Sequence, residues 1–163
     1  MGFFGTAFCS MGVGPVIGWT SPLLLLPITL FAFITMRAVA LLRRGTTVQL
    51  GTPHADKVIM WSSIGEGIGI FIVVNVLGNL DRRDLILPGI ATVVGLHFIP
   101  MAYAIPFHAF YAVAAALLIA ATAGMLLRQP IGSEVAGIAA AVALWIASLT
   151  ALRRGSIGTA SPT

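Results

Sequence analysis

The amino-acid sequence predicts an all-α integral membrane protein, a bundle of about six transmembrane helices arranged as three antiparallel hairpins. The first observation behind this prediction is composition, since 58% of the 163 residues are hydrophobic and only 9% are charged. Soluble domains are about 25% charged and about 45–50% apolar. A soluble globule could not hide this much apolar surface, so the composition indicates a membrane protein.

The second observation is the length of the apolar runs. Six runs approach the roughly 20 residues that a helix needs to cross the hydrocarbon core, and they cover residues 3–19, 22–42, 58–79, 85–105, 107–127 and 134–152. Run 3–19 is short and glycine-rich, so its full crossing of the membrane stays open. Residues 1–152 are expected to form one transmembrane domain, and residues 153–163 a flexible polar tail.

The third observation is that none of these runs alternates between apolar and polar residues, as the strands of a membrane barrel do. Only helices and closed barrels satisfy the backbone polar groups in lipid. The runs are therefore predicted to be helices. The short connections between runs one and two, three and four, and five and six predict the three hairpins.

The distribution of lysine and arginine predicts the orientation, because cytoplasmic loops carry more of these residues. One choice puts six basic residues inside (Arg37, Arg43, Arg44, Lys57, Arg153, Arg154) and three outside (Arg82, Arg83, Arg128). We therefore predict a multi-pass protein of the cell (inner) membrane with both termini cytoplasmic. The net charge of +4 is interpreted as contact with membrane lipids. Nucleic acid is not an expected partner, because the basic residues are not interleaved with aromatic ones.

Pairs of small residues four positions apart recur along the chain, at Gly14/Gly18, Gly65/Gly69, Ala136/Ala140 and Gly137/Ala141. Such pairs let helix backbones approach closely in lipid. Two interpretations are open, which are tight packing inside one subunit and an interface between copies. The prediction is a homo-oligomer, with helix six as the candidate interface.

A layer of ionisable residues lies inside the predicted membrane region. Glu66 is eight residues into the third run, roughly 12 Å deep at 1.5 Å per residue. His97 precedes the end of the antiparallel fourth run by eight residues, again roughly 12 Å deep. Arg37 lies six residues before Arg43, roughly 9 Å deep. Equal depth on neighbouring antiparallel helices predicts that Glu66 and His97 face each other, with Arg37 in reach.

Ser62 and Ser63 share the face of Glu66 at helical spacing, so that face is polar. A charge at the membrane centre costs about 2.5–3.5 kcal/mol on insertion scales, and such groups usually face the bundle interior. The predicted ion or substrate site therefore comprises Glu66, His97, Arg37, Ser62 and Ser63.

This site predicts a small transporter or channel subunit that handles a cation or a proton at Glu66. The alternative is a structural or assembly protein, in which the polar layer only fixes helix register. A lipid-modifying enzyme is disfavoured, because the chain has no HExxH, GxSxG or phosphate-binding loop. No metal or cofactor is expected. Cys9 is a single cysteine, and His97 and His108 do not share the depth that a bis-histidine haem requires.

Overall fold

The computed structural model describes residues 2–43, 53–105, 108–127 and 129–157. Within these ranges all regular structure is helical, and the described residues form six α-helices: α1 Gly2–Ile17, α2 Leu25–Arg43, α3 Pro53–Asn79, α4 Ile86–Ala104, α5 Ala109–Leu126 and α6 Ile131–Ile157. Short 3-10 turns precede α2 (Pro22–Leu24) and α4 (Arg83–Leu85). The prediction of a helical protein with six helices is thus confirmed.

Five of the helices, α2 to α6, are long and apolar enough to cross a membrane. Helix α1 has 16 residues, about 24 Å at 1.5 Å per residue. The hydrocarbon core is about 30 Å thick, so α1 alone is shorter than the core.

The two largest differences between predicted and observed helix boundaries are of five residues each. Helix α3 begins at Pro53, five residues before the predicted start, and its first turn contains Asp56. Proline suits a first turn because the backbone N–H it lacks would have no partner there. Helix α6 ends at Ile157, so residues 153–157 of the predicted flexible tail are helical. Residues 158–163 of that tail lie outside the described residues.

The core is built by α1, α4, α5 and α6. Its completely buried side chains include Val94 of α4, Leu117 of α5 and Leu144 of α6, with Phe8 of α1 packed among them. Among the described residues, the buried members of this cluster do not come from α2 or α3, and Ile70 and Val73 of α3 pack against it while remaining partly buried. Helix α2 packs against α1 and α6, while α3 packs chiefly against α4.

The small residues of α6 are used inside the subunit. Ala136, Ala140 and Ala141 are buried, and a Cβ added at Gly137 would lie 2.9 Å from the Phe8 carbonyl oxygen of α1. The interpretation of these pairs as packing within one subunit therefore accounts for α6. Helices α1 and α4 cover this face of α6 within the subunit, and the homo-oligomer stays a prediction.

The α3–α4 contact sets the register on which the candidate site depends. A methyl group added at Gly69 would meet Val93 at 2.8 Å, and one added at Gly89 would meet Val73 at 2.7 Å. Val73 lies four residues after Gly69 on α3, whereas Gly89 lies four residues before Val93 on α4. The two helices therefore run in opposite directions. One turn in the other direction along this interface reaches Glu66 and His97.

Candidate functional site

The structure brings Glu66 and His97 together across the α3–α4 interface. Oε2 of Glu66 lies 3.6 Å from Nδ1 of His97, and the two side chains are only 10% and 9% exposed. Both lie within helices that are long and apolar enough to cross a membrane. The equal depth of these residues in the sequence therefore predicted their contact correctly.

Ser62 completes the cluster from one turn earlier on α3. Its Oγ lies 2.9 Å from Nδ1 of His97 and donates to the His97 backbone carbonyl at 3.1 Å. A hydroxyl has one proton to donate. Since that proton goes to the carbonyl, the contact with the ring is satisfied when Nδ1 carries a proton and donates it to Oγ.

The same proton on Nδ1 also faces the Glu66 carboxylate. An N–H beside an ionised carboxylate is favourable, whereas the Nδ1 lone pair would repel it. The serine contact and the carboxylate contact thus select the same histidine tautomer. Glu66, His97 and Ser62 form an arrangement in which a proton can reside on the ring or on the carboxylate at nearly fixed heavy-atom positions.

The donor set of this cluster suits a proton better than a metal ion. Glu66 supplies one carboxylate, Ser62 one hydroxyl and His97 one ring nitrogen. That nitrogen, Nδ1, faces both the carboxylate and the hydroxyl. Hard cations such as Ca²⁺ take six to eight oxygen ligands. Among the described residues, no group of three or more histidine, cysteine and acidic side chains is placed to hold a metal ion.

An aromatic residue that the sequence analysis did not single out lies beside the cluster. The Phe98 ring meets the His97 ring edge to face, with the centroids 5.4 Å apart. Phe98 is 4% exposed and belongs to the hydrophobic core. His97 thus lies next to the buried core of the bundle, while Glu66 and Ser62 belong to the peripheral α3.

Ser63 was predicted to share the site, and the structure places it outside. Ser63 is exposed, whereas Ser62 and Glu66 are partly buried. Successive residues on a helix point about 100° apart, so only one of two adjacent serines can face α4. Ser63 faces away from the α4 contact.

Arg37 was also predicted in this layer, and the structure does not bring it to Glu66. It is exposed on α2, where it lines a cavity with Leu149, Leu152 and Arg153 of α6. The prediction failed because equal depth says nothing about which helices are neighbours. Helix α2 packs against α1 and α6, whereas α3 packs chiefly against α4.

Of the five predicted site residues, the structure therefore groups three, Glu66, His97 and Ser62. Their chemistry is the basis for assigning a function. No protein-family model, curated protein sequence or solved structure matches this chain.

Proposed function

We propose that the protein is a multi-pass inner-membrane protein of three antiparallel helix hairpins, a small transporter or channel subunit in which Glu66 and His97 hold a transported or coupling proton. The observation that carries the proposal is the 3.6 Å approach of Glu66 to His97, with Ser62 on the same ring nitrogen. Ionisable residues within membrane helices are costly and commonly mark proton or ion pathways.

The charge balance of the pair supports a proton as the species handled. With one proton shared between them, Glu66 and His97 have zero net charge, whether the proton is on the carboxylate or on the ring. This limits the cost of placing two ionisable groups in an apolar region. Uptake of a second proton makes the pair cationic, and its release restores neutrality. The pair can therefore be loaded and unloaded one proton at a time.

The test is proton flux into liposomes that contain the purified protein and a pH-sensitive dye, driven by a potassium diffusion potential. We expect the wild type to carry protons and His97→Gln to reduce the rate at least tenfold, because glutamine cannot be protonated. His108→Gln is the matched control, since His108 is exposed at the start of α5. It should keep the wild-type rate.

Wild-type flux no greater than that of protein-free liposomes would count against a protein that carries protons alone. Equal losses in His97→Gln and His108→Gln would show that the readout does not report on the cluster.

The structural alternative has one specific observation in its favour. Helix α3 packs chiefly against α4, and the bond from Ser62 to the His97 carbonyl pins the two helices at 3.1 Å. A polar cluster that fixes the register of a peripheral helix would need the same residues. The two functions differ in what happens when Glu66 loses its charge but keeps its shape.

The proposed orientation places both termini in the cytoplasm. A reporter enzyme that folds only outside the inner membrane should give no signal when fused after residue 163, and a strong signal when fused in the turn at residues 81–84. The bias of lysine and arginine is the physical reason. The reverse pattern of signals would invert the topology and leave the α3–α4 cluster unchanged.

A further inference from the structure

A second feature, separate from the proton pair, is an apolar groove of about 700 Å³ between α1, α2 and α6. Helix α1 contributes Cys9, Val13 and Ile17 to its lining, and α6 contributes Trp145. The rest of the lining lies between residues 23 and 33, on the 3-10 turn and the first half of α2. Several of these α2 side chains are exposed, so the groove opens sideways to the surroundings of the bundle.

The groove extends from one edge of the predicted membrane region to its middle. Leu23 and Phe33 lie twenty and ten residues before Arg43, which ends α2, so their distances from that boundary are about 30 Å and about 15 Å at 1.5 Å per residue. Trp145 lies eight residues before Arg153 on α6, about 12 Å from the same boundary. The hydrocarbon core is about 30 Å thick. The groove therefore begins near the opposite boundary, at Leu23, and ends near the bilayer centre, at Phe33 and Trp145.

The lining leaves almost no polar atom for a ligand. The Thr29 hydroxyl already donates to the Leu26 carbonyl at 2.9 Å. The indole Nε1 of Trp145 is buried without a hydrogen-bond partner, but it faces α1, since a Cβ added at Gly5 would lie 2.7 Å from it. In the part of the chain that the structure describes, no acidic or basic side chain lines the groove.

An apolar occupant suits this lining better than water. A buried water needs two to four polar partners, whereas apolar cavities stay dry and bind apolar molecules. An empty groove would forfeit dispersion contacts along all three helices. Helices α2 and α6 are long and apolar enough to cross a membrane, so the apolar molecules around the groove are the acyl chains of lipids.

The dimensions favour one acyl chain over a helix of a second copy. Half of the hydrocarbon core, the depth of one leaflet, is about 15 Å, which is the length of the groove from Leu23 to Phe33. A helix is about 10 Å across, so 15 Å of it would occupy roughly 1,200 Å³. That volume exceeds the 700 Å³ of the groove.

We infer that the groove between α1, α2 and α6 binds one acyl chain of a phospholipid from the leaflet at the Leu23 end. The chain lies along α2 with its methyl end at Phe33 and Trp145, and the headgroup stays outside the groove at the membrane edge. Because no charged residue lines the groove among those described, binding does not depend on the charge of the headgroup. The occupant adds contacts between α2 and the helices α1 and α6.

The test is quenching of tryptophan fluorescence by phospholipids with brominated acyl chains, in liposomes that contain the full-length protein. The chain has three tryptophans, so the variant Trp19→Phe, Trp61→Phe leaves Trp145 as the single emitter. Bromine near the chain end should quench Trp145 at least about twofold more than bromine near the glycerol, because this end of the groove lies near the bilayer centre.

A blocking variant and a matched control are made in this single-tryptophan protein. Val13→Phe places a ring in the groove between its mouth and Trp145, so quenching by chain-end bromine should fall to about half or less, since the ring takes the space of the chain. Val16→Phe is the control, because Val16 is exposed on the same helix and does not line the groove. It should keep the quenching of the parent protein. Leu30→Phe blocks the groove from α2 and replaces Val13→Phe if melting curves show that the latter is unfolded.

Three outcomes would overturn the inference. Trp145 that no brominated lipid quenches would show that acyl chains do not enter the groove. Equal quenching in Val13→Phe and Val16→Phe would show that lipid reaches Trp145 by another route. Brominated phosphatidylglycerol and phosphatidylcholine should quench Trp145 equally, and a severalfold difference between them would show that the headgroup, and not the chain alone, is bound.

Discussion

Glu66→Gln is expected to reduce proton flux at least tenfold while the protein stays folded. The amide has nearly the shape of the carboxyl group and can accept from the protonated Nδ1 of His97, 3.6 Å from Oε2 in the wild type. The amide has no titratable proton, so residue 66 can no longer exchange a proton with His97. Flux in liposomes and the melting temperature in detergent, measured on the same preparation, verify the two parts of this expectation.

Glu134→Gln is the matched control, because Glu66 and Glu134 are the two glutamates of the chain. Glu134 lies in the first turn of α6, in a different cavity with Asp84 and Gln129. It should retain at least half of the wild-type flux.

The proton proposal and the structural alternative predict different outcomes for this pair of variants. If the cluster only holds α3 in register, Glu66→Gln leaves activity intact. Unimpaired flux in folded Glu66→Gln would therefore refute the role of Glu66 in proton transfer and favour the structural function.

Gly137→Leu is expected to prevent the bundle from packing. A Cβ at this position would lie 2.7 Å from Leu87 Cδ2, 2.9 Å from the Phe8 carbonyl oxygen and 3.0 Å from the Gly12 Cα. Two of these three atoms belong to the backbone of α1, which cannot rotate out of the way. Overpacking a core typically costs 1–3 kcal/mol and occasionally more, so we expect about 3 kcal/mol or more here.

Gly65→Leu provides the comparison for this variant. In the part of the chain that the structure describes, nothing lies within 4 Å of a Cβ added at Gly65 on α3, so the same substitution should leave stability within about 0.5 kcal/mol, as for other surface changes. Unfolding in detergent and size-exclusion chromatography measure the difference. A folded Gly137→Leu protein that had only changed from oligomer to monomer would contradict the packing of this face inside the subunit.

Hydropathy alone was enough to predict the six helices, because a chain in lipid must satisfy its backbone within each segment. Hydropathy predicted the positions of the helix termini less accurately. Helix α3 begins at Pro53 and α6 continues to Ile157, in segments that are polar. Helix termini outside the apolar region depend on local backbone bonding, which average hydropathy does not measure.

The candidate site was predictable where sequence neighbours are also spatial neighbours. Glu66 and His97 lie on consecutive helices joined by a short turn, so equal depth implied contact. Arg37 has a similar depth, but helix α2 lies against α1 and α6. Ser62 and Ser63 were equivalent by spacing, and the rotation of α3 against α4 at Gly69 made only Ser62 part of the cluster.

The peripheral position of α3 bears on how easily water can reach Glu66 and His97. Local opening of a protein costs the free energy of the contacts that break, and not the free energy of global unfolding. Because α3 packs chiefly against α4, a displacement of this one helix would separate Glu66 from His97 while the helices of the core, α1, α4, α5 and α6, kept their contacts with one another. Exposure of the carboxylate would then require the α3–α4 contacts to break, and not the contacts of the core.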